Sequence, residues 1–447
     1  MPFALHFAQH IAQLETRYAE ALSTTQAFDA VLIHSGSAQT YFADDQHPVF
    51  RAYGHFNQWV PVSRPDQMVL IMPGERPVYF QVVPRDFWYE QDTGLAPWIA
   101  APFEVVTLES APEVLAQLQH IGSRKSLALS RIAFLGENTA FATALGLPAA
   151  AQNPPRLVQH LDFLRAVKTE YEVASIRSAN RLALQGHTAA RHAFENGGSE
   201  YDIHMAYLQA CHQLESEMPY PTIVALDEKG AILHYQNKRR SSGADSQVLL
   251  IDAGCRVNTY CSDITRTWTR PHTLSLFKDL VEAMEAMQSA LVRQVRAGIP
   301  YPDLHRTAHE GLTNILLGAG ICRGSRDALL AHKVSTLFMP HGVGHLLGIQ
   351  VHDVGGRIKN SQGEIQLPPD DYPSLRTTRM TARGQVFTIE PGLYFIPVLL
   401  EPERGSARGK LIDWDLIETL TPLGGIRIED NVLVTEHGVE NLTRVMI

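Results

Sequence analysis

Two aspartates in the segment VLLIDAGCRVNTYCSDITRTWT have a spacing that could support metal chemistry. β-Prone runs flank a short polar stretch, which predicts a hairpin. If its centre lies between Val257 and Asn258, Asp252 faces Asp263 with Cβ atoms ~5 Å apart. Two charges 4 Å apart repel by roughly 4 kcal/mol at an effective dielectric near 20, so a cation or a retained proton must compensate. Alternatively both face water in turns, although an unpaired acid directly after VLLI is unusual.

Two glutamates occupy similar positions at the ends of β-prone runs. Glu390 ends QVFTIE before Pro-Gly, and Glu429 lies in the alternating run GIRIEDNVLV with Arg427 two residues away on the same face. Taken singly, each is equally well a solvated acid on a strand or a metal ligand. Four acids at strand ends, together with a histidine cluster, favour a shared site.

The histidine cluster is MPHGVGHLLGIQVHDVGG, which contains His341, His345 and His352. A His-x-x-x-His spacing is typical of zinc-binding helices. Gly342 and Gly344 argue against a stable helix, and no glutamate follows the first histidine, so a helical metalloprotease motif is not expected. Ordinary core or surface histidines are the alternative. Their concentration among glycines, which allow close backbone approach, favours one metal ligand with flanking proton donors or acceptors.

Four carboxylates and one imidazole, without a thiolate, form a hard, oxygen-rich donor set. Such a set suits Mn²⁺, with Co²⁺ or Zn²⁺ less preferred. Four negative charges balance two divalent ions. Two metals ~3.5–4 Å apart can share a hydroxide and hold both oxygens of a hydrolytic transition state. The residues therefore predict metal-assisted hydrolysis.

The elements that must position these residues follow from the hydrophobic pattern. Residues 1–158 alternate helix-like and strand-like runs, which predicts an α/β layer, and Pro154 and Pro155 mark a linker. We therefore expect two domains, 1–158 and 159–447, in a chain of the α/β (α+β) class. The second domain has strand-like runs in its last hundred residues and helical patterns over 163–194, 201–217, 274–297 and 302–318.

The amino-acid composition excludes a disordered, collagen-like or fibrous protein. The 447 residues are 45% hydrophobic and 19% charged, which is an ordinary globular profile. The formal charge of −9 favours neither nucleic acid nor an anionic membrane as a partner. The first twenty residues do not have the pattern of a secretory signal peptide, and no apolar run is long enough to span a membrane. The four cysteines lack a CxxC pattern. We expect a cytoplasmic protein with free thiols, although a disulfide between Cys255 and Cys261 across the hairpin remains an alternative.

Five short motifs resemble the pita-bread metallopeptidases, a family that includes methionine aminopeptidase, aminopeptidase P and proline dipeptidase (prolidase). They are IDAG with Asp252, SDITRT with Asp263, HGVGHLLG with His345, IEPG with Glu390 and RIED with Glu429. HGVGHLLG followed by VHDVGG, the later SLRTTR and the large N-terminal segment are most similar to bacterial prolidases, which cleave Xaa-Pro dipeptides. The resemblance implies an N-terminal α/β domain followed by a C-terminal pita-bread catalytic domain.

The same resemblance implies roles for the five donors in a dinuclear hydrolase. Asp252 would bind one metal ion, His345 and Glu390 the other, and Asp263 with Glu429 both. A hydroxide bridging the metals would attack the carbonyl carbon of the Xaa-Pro bond, and Glu390 would also carry the proton.

Further residues are implied to act on the substrate. His234, His341 and His352 would orient it and stabilise the oxyanion. Arg376 and Arg427 are candidates to bind its terminal carboxylate, although Arg427 alternatively holds a ligand carboxylate in place.

The resemblance also implies which residues form the wall of the pocket and that the protein pairs with a second copy of itself. Tyr220 and Tyr301 would contact the proline ring, unless they are ordinary half-buried tyrosines. The prolidases that this chain resembles are homodimers whose N-terminal domain closes over the partner's site. Trp88, in RDFWYEQ, would contribute there or be a plain dimer contact.

Three other functions remain as alternatives. Hydrolysis of organophosphorus esters or fluorides, as a main or side activity, would use the same ligands. An aminopeptidase P-like release of the residue before proline is the second. The third is a binding module that keeps the fold without its chemistry, which the five filled ligand positions disfavour.

Overall fold

The computed structural model describes residues 2–91 and 94–444. The described residues divide into two compact units. One contains residues up to Ala174 together with Asn360–Glu364, and the other contains Ser175–Lys359 and the residues from Ile365 onward. The limit expected at 158/159 falls inside a helix, Pro155–Arg165, because Pro155 occupies its first turn, where proline is well tolerated. The precise domain limits stay a prediction.

The first unit is built on a mixed five-stranded sheet in the order β4-β3-β2-β1-β5, with β3–β4 and β1–β5 parallel and the other pairs antiparallel. Four of these strands are buried along their whole length, which explains their continuous apolar runs. The strands are β1 Ala30–His34, β2 Met68–Ile71, β3 Val78–Val82, β4 Glu104–Leu108 and β5 Ile132–Leu135. The helices are α1 Pro2–Thr25, α2 Gly54–Trp59, α3 Pro97–Ala100, α4 Val114–Lys125, α5 Thr139–Ala144 and α6 Pro155–Arg165.

The second unit contains several small antiparallel sheets, in the orders β10-β7-β6, β11-β14-β15, β12-β13 and β8-β9. Its strands are β6 Ile223–Leu226, β7 Val248–Asp252, β8 Arg256–Val257, β9 Tyr260–Cys261, β10 Thr265–Thr269, β11 Val386–Ile389, β12 Gly392–Tyr394, β13 Gly425–Arg427, β14 Asp430–Val434 and β15 Val439–Asn441. The helices from α7 onward are α7 Glu170–Glu195, α8 Glu200–Cys211, α9 Ser275–Gln294, α10 Tyr301–Gly318, α11 Arg326–Ala331, α12 Ser335–Phe338, α13 Pro397–Leu400 and α14 Trp414–Leu420. The division between the units falls within the first turns of α7.

The helical pattern predicted over 163–194 is interrupted. Helix α6 ends at Arg165 and α7 begins at Glu170. Glu172 Oε2 accepts from Thr169 N at 2.7 Å, and Thr169 Oγ1 accepts from Glu172 N at 3.4 Å. This reciprocal cap satisfies donors at the start of a new helix, so apolar periodicity alone does not reveal the break.

The predicted hairpin forms between β7 and β10, but in a different register. Asp252 lies opposite Thr265 and not opposite Asp263. The turn contains Asn258 and Thr259, which both have positive φ (49° and 71°), as turns that match the twist of the paired strands require. The predicted pairing is therefore wrong by two residues. Because side chains alternate along a strand, the two aspartates remain diagonal neighbours on one face.

The same register separates the hairpin cysteines. Cys255 lies beside Ser262, whose backbone N–H donates to Cys255 O at 2.9 Å. All four cysteines are buried and free, as expected. No helix within the described residues is long and apolar enough to cross a lipid bilayer.

Candidate metal centre and substrate pocket

The five predicted ligands line one cavity of about 300 Å³ in the second unit. Each stands at or near the end of a strand or in a loop beside one. Asp252 ends β7, Asp263 precedes β10, Glu390 follows β11, Glu429 joins β13 to β14, and His345 lies in the loop after α12.

The ligand atoms are close together. His345 Nε2 lies 3.4 Å from Asp263 Oδ2 and 3.5 Å from Glu390 Oε1. Donor atoms of Asp263, His345 and Glu429 lie within 4.8 Å of one another. His345 Nδ1 is 3.1 Å from Leu346 O, and donation of its proton to that carbonyl leaves a lone pair directed at the acids whenever Nε2 is deprotonated. This tautomer is the one that binds a metal ion.

The glycine-rich loop is not helical, and its backbone lies against β11. Thr388 N donates to His345 O at 3.0 Å, and Glu390 N donates to Val343 O at 2.8 Å. A Cβ at Gly344 would lie 2.0 Å from Thr388 O, so only glycine permits this approach. The backbone bonds therefore place the ligand histidine and the ligand glutamate side by side.

Asp263 and Glu429 are held by side chains that are distant in sequence. Asn431 Oδ1 accepts from Asp263 N at 3.0 Å, and its amide donates to Asp263 O at 2.5 Å. Thr265 Oγ1 donates to Glu429 Oε2 at 2.6 Å, and Arg266 Nη1 donates to Glu429 O at 2.7 Å. The backbone of both residues is thus held in place, and Thr265 also orients the carboxylate of Glu429.

Burial and mutual repulsion raise the pKa of three of the four carboxyls. Burial is the largest cause at Glu429, and the charges of Asp263 and Glu390 add to it, so its pKa stands well above its usual range. Burial also raises the pKa of Glu390 to about 7. At Asp252 burial outweighs the attraction of Arg427 and again raises the pKa.

The pKa shifts of Asp263 and His345 instead favour their charged forms. Burial disfavours the charged form of both, but their mutual hydrogen bond and attraction lower the pKa of Asp263 and raise that of His345. Four crowded acids around one imidazole nitrogen therefore form a set whose repulsion divalent cations would relieve. The oxygen-rich donors match what such ions bind, so the residues present fit a divalent-metal centre.

A hydrogen-bonded chain adjoins the ligands. Arg427 Nη2 donates to Asp252 Oδ2 at 2.7 Å, and Arg427 Nη1 donates to the hydroxyl oxygen of Tyr394 at 3.0 Å. That hydroxyl lies 2.9 Å from His341 Nε2, while His341 Nδ1 is 2.8 Å from Gly342 O. Burial, and then the charge of Arg427, lowers the pKa of His341 to about 4, so the ring is neutral near pH 7 and accepts the Tyr394 proton.

Tyr394 and Thr265 are residues that the sequence reasoning missed. Tyr394 lies four residues beyond the ligand Glu390 in IEPGLYF, and Thr265 lies two beyond Asp263 in SDITRT. Nearness in sequence to a predicted ligand was the available signal. Their partners lie 33 and 164 residues away in sequence.

Tyr220 lies within reach of both aspartates. Its hydroxyl is 2.7 Å from Asp252 Oδ1 and 2.5 Å from Asp263 Oδ1. Burial, together with these charges, raises the pKa of the phenol well above 10. The hydroxyl therefore keeps its proton and donates it to one carboxylate at a time.

Some of the remaining predicted residues line the cavity, and others do not. His234, His352 and Arg376 line the cavity with His341 and Arg427. Tyr301 is fully buried, and its hydroxyl donates to Thr388 O at 3.1 Å, which places its ring behind the ligand loop instead of on the cavity wall. Trp88 belongs to the first unit and has 76% of its surface exposed.

Comparisons with known proteins identify the family of the chain. A model of metallopeptidase family M24 matches residues 174–436, and a model of the Xaa-Pro dipeptidase N-terminal domain matches residues 5–163. The curated Xaa-Pro dipeptidase of Pseudoalteromonas atlantica (strain T6c / ATCC BAA-1087) is 40% identical over 442 residues, covering 98% of this chain and 97% of that protein. That of Pseudoalteromonas haloplanktis is 38% identical over 445 residues, covering 99% of both.

A solved structure supports the fold. Aminopeptidase P from E. coli with the inhibitor Pro-Leu aligns with a TM-score of 0.73 at 22% identity, covering 97% of this chain and 95% of that one. The predicted fold class, an N-terminal α/β domain followed by a pita-bread catalytic domain, is confirmed. By both sequence and fold, the chain belongs to metallopeptidase family M24 and, within it, to the Xaa-Pro dipeptidases.

Proposed function

We propose that this chain is a metal-dependent dipeptidase that hydrolyses the bond between any first residue and a C-terminal proline. The observation that carries the proposal is the convergence of Asp252, Asp263, His345, Glu390 and Glu429 in one cavity of about 300 Å³. The relatives named Xaa-Pro dipeptidase match it over nearly the whole chain. A cavity of this size suits a small ligand better than an extended polypeptide.

Two divalent ions, which we propose to be Mn²⁺, would be held by these five side chains. Asp252 would bind one ion, His345 and Glu390 the other, and Asp263 with Glu429 both. When bound, the ions supply Lewis-acid polarisation of the scissile carbonyl and activation of a water molecule as the nucleophile.

The chain's own residues orient the substrate and move the proton. Arg376 lines the cavity and makes no hydrogen bond or ion pair to any residue that the structure describes, so it is free to hold the proline carboxylate. All three guanidinium nitrogens of Arg427 donate within the protein, which supports the holding role at Asp252. Glu390, which lines the cavity beside His345, would carry the proton to the leaving imino nitrogen of proline. His234 and His352 would stabilise the oxyanion. Both ring nitrogens of His341 are engaged with Tyr394 and Gly342, so His341 would orient the site without donating to the oxyanion.

A homodimer in the cytoplasm completes the proposal. Four buried free thiols suit a reducing compartment. In the first unit Phe87, Trp88 and Tyr89 expose 85%, 76% and 57% of their surfaces, an apolar segment suited to contact with a second copy of the chain. Light scattering of the wild type and of Trp88→Ala tests this assembly.

Hydrolysis of Ala-Pro by the purified protein, before and after metal removal and Mn²⁺ restoration, tests the activity. We expect activity only with metal, and its abolition by Asp263→Asn and Glu390→Gln. Full activity of the metal-free protein contradicts the proposal. Faster cleavage of Ala-Pro-Ala than of Ala-Pro would favour the aminopeptidase P-like alternative, and a higher kcat/KM for a phosphotriester would favour the organophosphorus alternative.

A further inference from the structure

The segment that carries His234 to the cavity has no helix or strand of its own. It runs over residues 232–247, between a short 3₁₀ turn, Asp227–Ala231, and β7. Leu233 and His234 line the cavity, and the His234 side chain is exposed. The ring of Tyr235, directly after His234, is buried in an apolar cluster with Ile223, Ala225 and Leu250. Irregular segments open easily where such contacts are few, so polar anchors add to the hold on the residues around His234.

Glu200, at the start of α8, supplies such an anchor. Its side chain is fully buried. Oε2 accepts from Tyr235 hydroxyl and from Arg239 N, both at 2.8 Å, and Oε1 accepts from Leu226 N at 3.2 Å. Tyr201 N, the next donor along α8, bonds to Arg239 O at 3.1 Å. One carboxylate thus joins the chain on both sides of His234.

A buried carboxylate is costly unless its oxygens accept several hydrogen bonds. All of the hydrogen bonds that Glu200 accepts from described residues come from positions flanking His234 in sequence. Its partner Tyr235 directly follows the histidine. Lys238 adds a further tie by donating to Thr222 O at 2.7 Å. The arrangement therefore fixes the segment at the point where it meets the cavity.

We propose that Glu200 is a positioning residue for the dipeptidase reaction, acting through His234 and not by contact with the substrate. The inference rests on the proposed function and assigns a purpose to a carboxylate outside the cavity. If the inference is correct, substitution of Glu200 lowers the activity only of a protein that still carries His234.

A double-mutant cycle with the metal-loaded protein tests this requirement. We expect Glu200→Gln to lower kcat/KM for Ala-Pro about tenfold, since hydrogen bonds to a buried charge are lost, with metal content by elemental analysis unchanged. In the His234→Gln background the same substitution should change kcat/KM by less than about twofold. An equal tenfold loss in both backgrounds, or no loss in the first, would overturn the proposal.

Asp202→Asn is the matched control, because it alters another acid in the first turn of the same helix. Asp202 Oδ2 accepts from Ser199 N at 3.0 Å as part of the helix cap, and within the described residues Asp202 has no hydrogen bond to positions 232–239. We expect its kcat/KM to remain within about twofold of wild type. A tenfold loss in this control would assign the effect to helix α8 in general and overturn the proposal.

Hydrogen exchange supplies a readout that does not depend on catalysis. Glu200→Gln should accelerate amide exchange over residues 232–239 about tenfold relative to wild type and to Asp202→Asn, and unchanged exchange there overturns the proposal. A wild type that leaves Ala-Pro intact refutes the proposed function, while this exchange experiment still decides whether Glu200 fixes the segment. If Glu200→Gln does not fold, Tyr235→Phe removes a single donor, and the same cycle with a smaller, about threefold, loss applies.

Discussion

Arg427 and Asp252 form an ion pair of 2.7 Å in which both side chains are withdrawn from water, with 5% and 14% of their surfaces exposed. The other guanidinium nitrogens donate to Thr265 Oγ1 at 3.1 Å and to the hydroxyl oxygen of Tyr394 at 3.0 Å. One buried cation therefore orients a proposed metal ligand and connects it to the residues around His341.

Loss of this cation should destabilise the metal-free protein. Arg427→Met leaves the Asp252 carboxylate buried without its cation, although the Tyr220 hydroxyl still donates to it, and we expect the free energy of unfolding to fall by about 3 kcal/mol. Denaturant unfolding after chelation measures the change. Arg306→Met, which removes the exposed pair of Arg306 with Asp303, should cost less than about 1 kcal/mol. Equal losses in the two variants would contradict the prediction.

Glu390 should make a pH-dependent contribution to stability in the metal-free protein. Its pKa is raised to about 7 by burial, whereas an unfolded glutamate titrates near about 4.3. Between these two pKa values the Glu390 carboxyl is protonated in the folded state and ionised in the unfolded state. The stabilising contribution is therefore complete below the unfolded pKa and is lost as the pH rises to about 7.

Glu390→Gln isolates this contribution from the histidines that titrate in the same range. Relative to wild type, the variant should gain about 2 kcal/mol of stability between pH 5 and pH 8. Chelated protein unfolded with denaturant at both pH values gives this difference. The exposed Glu401→Gln should show none, and a gain for Glu390→Gln that is the same at both pH values would contradict the prediction.

The sequence predicted the ligand types because acids at the ends of apolar runs, and a histidine among glycines, are local features. The register of the hairpin strands was harder to predict than the ligand types. The turn is set by the positive φ of Asn258 and Thr259, and moving it by one position changes every partner across the strands. The start of α7 depends on the cap between Thr169 and Glu172, which apolar periodicity does not detect.

The residues that orient the ligands were beyond sequence reasoning for a different reason. Asn431 meets Asp263 across 168 residues of chain, and no spacing rule connects two positions so far apart. A threonine or asparagine in a strand is usually an ordinary structural residue. Such supporting side chains become visible only when the sheets bring distant strands together.

Arg376 should determine preference for a free C-terminal carboxylate. Arg376→Leu removes a charge-assisted contact worth about 1.5–3 kcal/mol, so we expect kcat/KM for Ala-Pro to fall about 10- to 100-fold, mainly through KM. Cleavage of Ala-prolinamide, which lacks the carboxylate, should change little. Steady-state kinetics with both substrates measures the difference.

Arg383→Leu is the control for this prediction. Arg383 and its partner Glu436 expose 71% and 64% of their side chains, so the variant should keep wild-type kinetics. An equal fall for both substrates in Arg376→Leu would show that Arg376 does not bind the carboxylate.

Tyr394 should matter through its hydroxyl alone. Tyr394→Phe keeps the ring but leaves His341 Nε2 and Arg427 Nη1 without the oxygen that joins them. An unsatisfied buried polar group costs about 1–3 kcal/mol, and we expect kcat for Ala-Pro to fall about tenfold while bound metal, measured by elemental analysis, is unchanged. Tyr207→Phe removes another buried hydroxyl, 3.6 Å from Cys255 Sγ, and should leave kcat unaltered. Loss of metal from Tyr394→Phe would instead place its role in holding Asp252, through the displacement of Arg427.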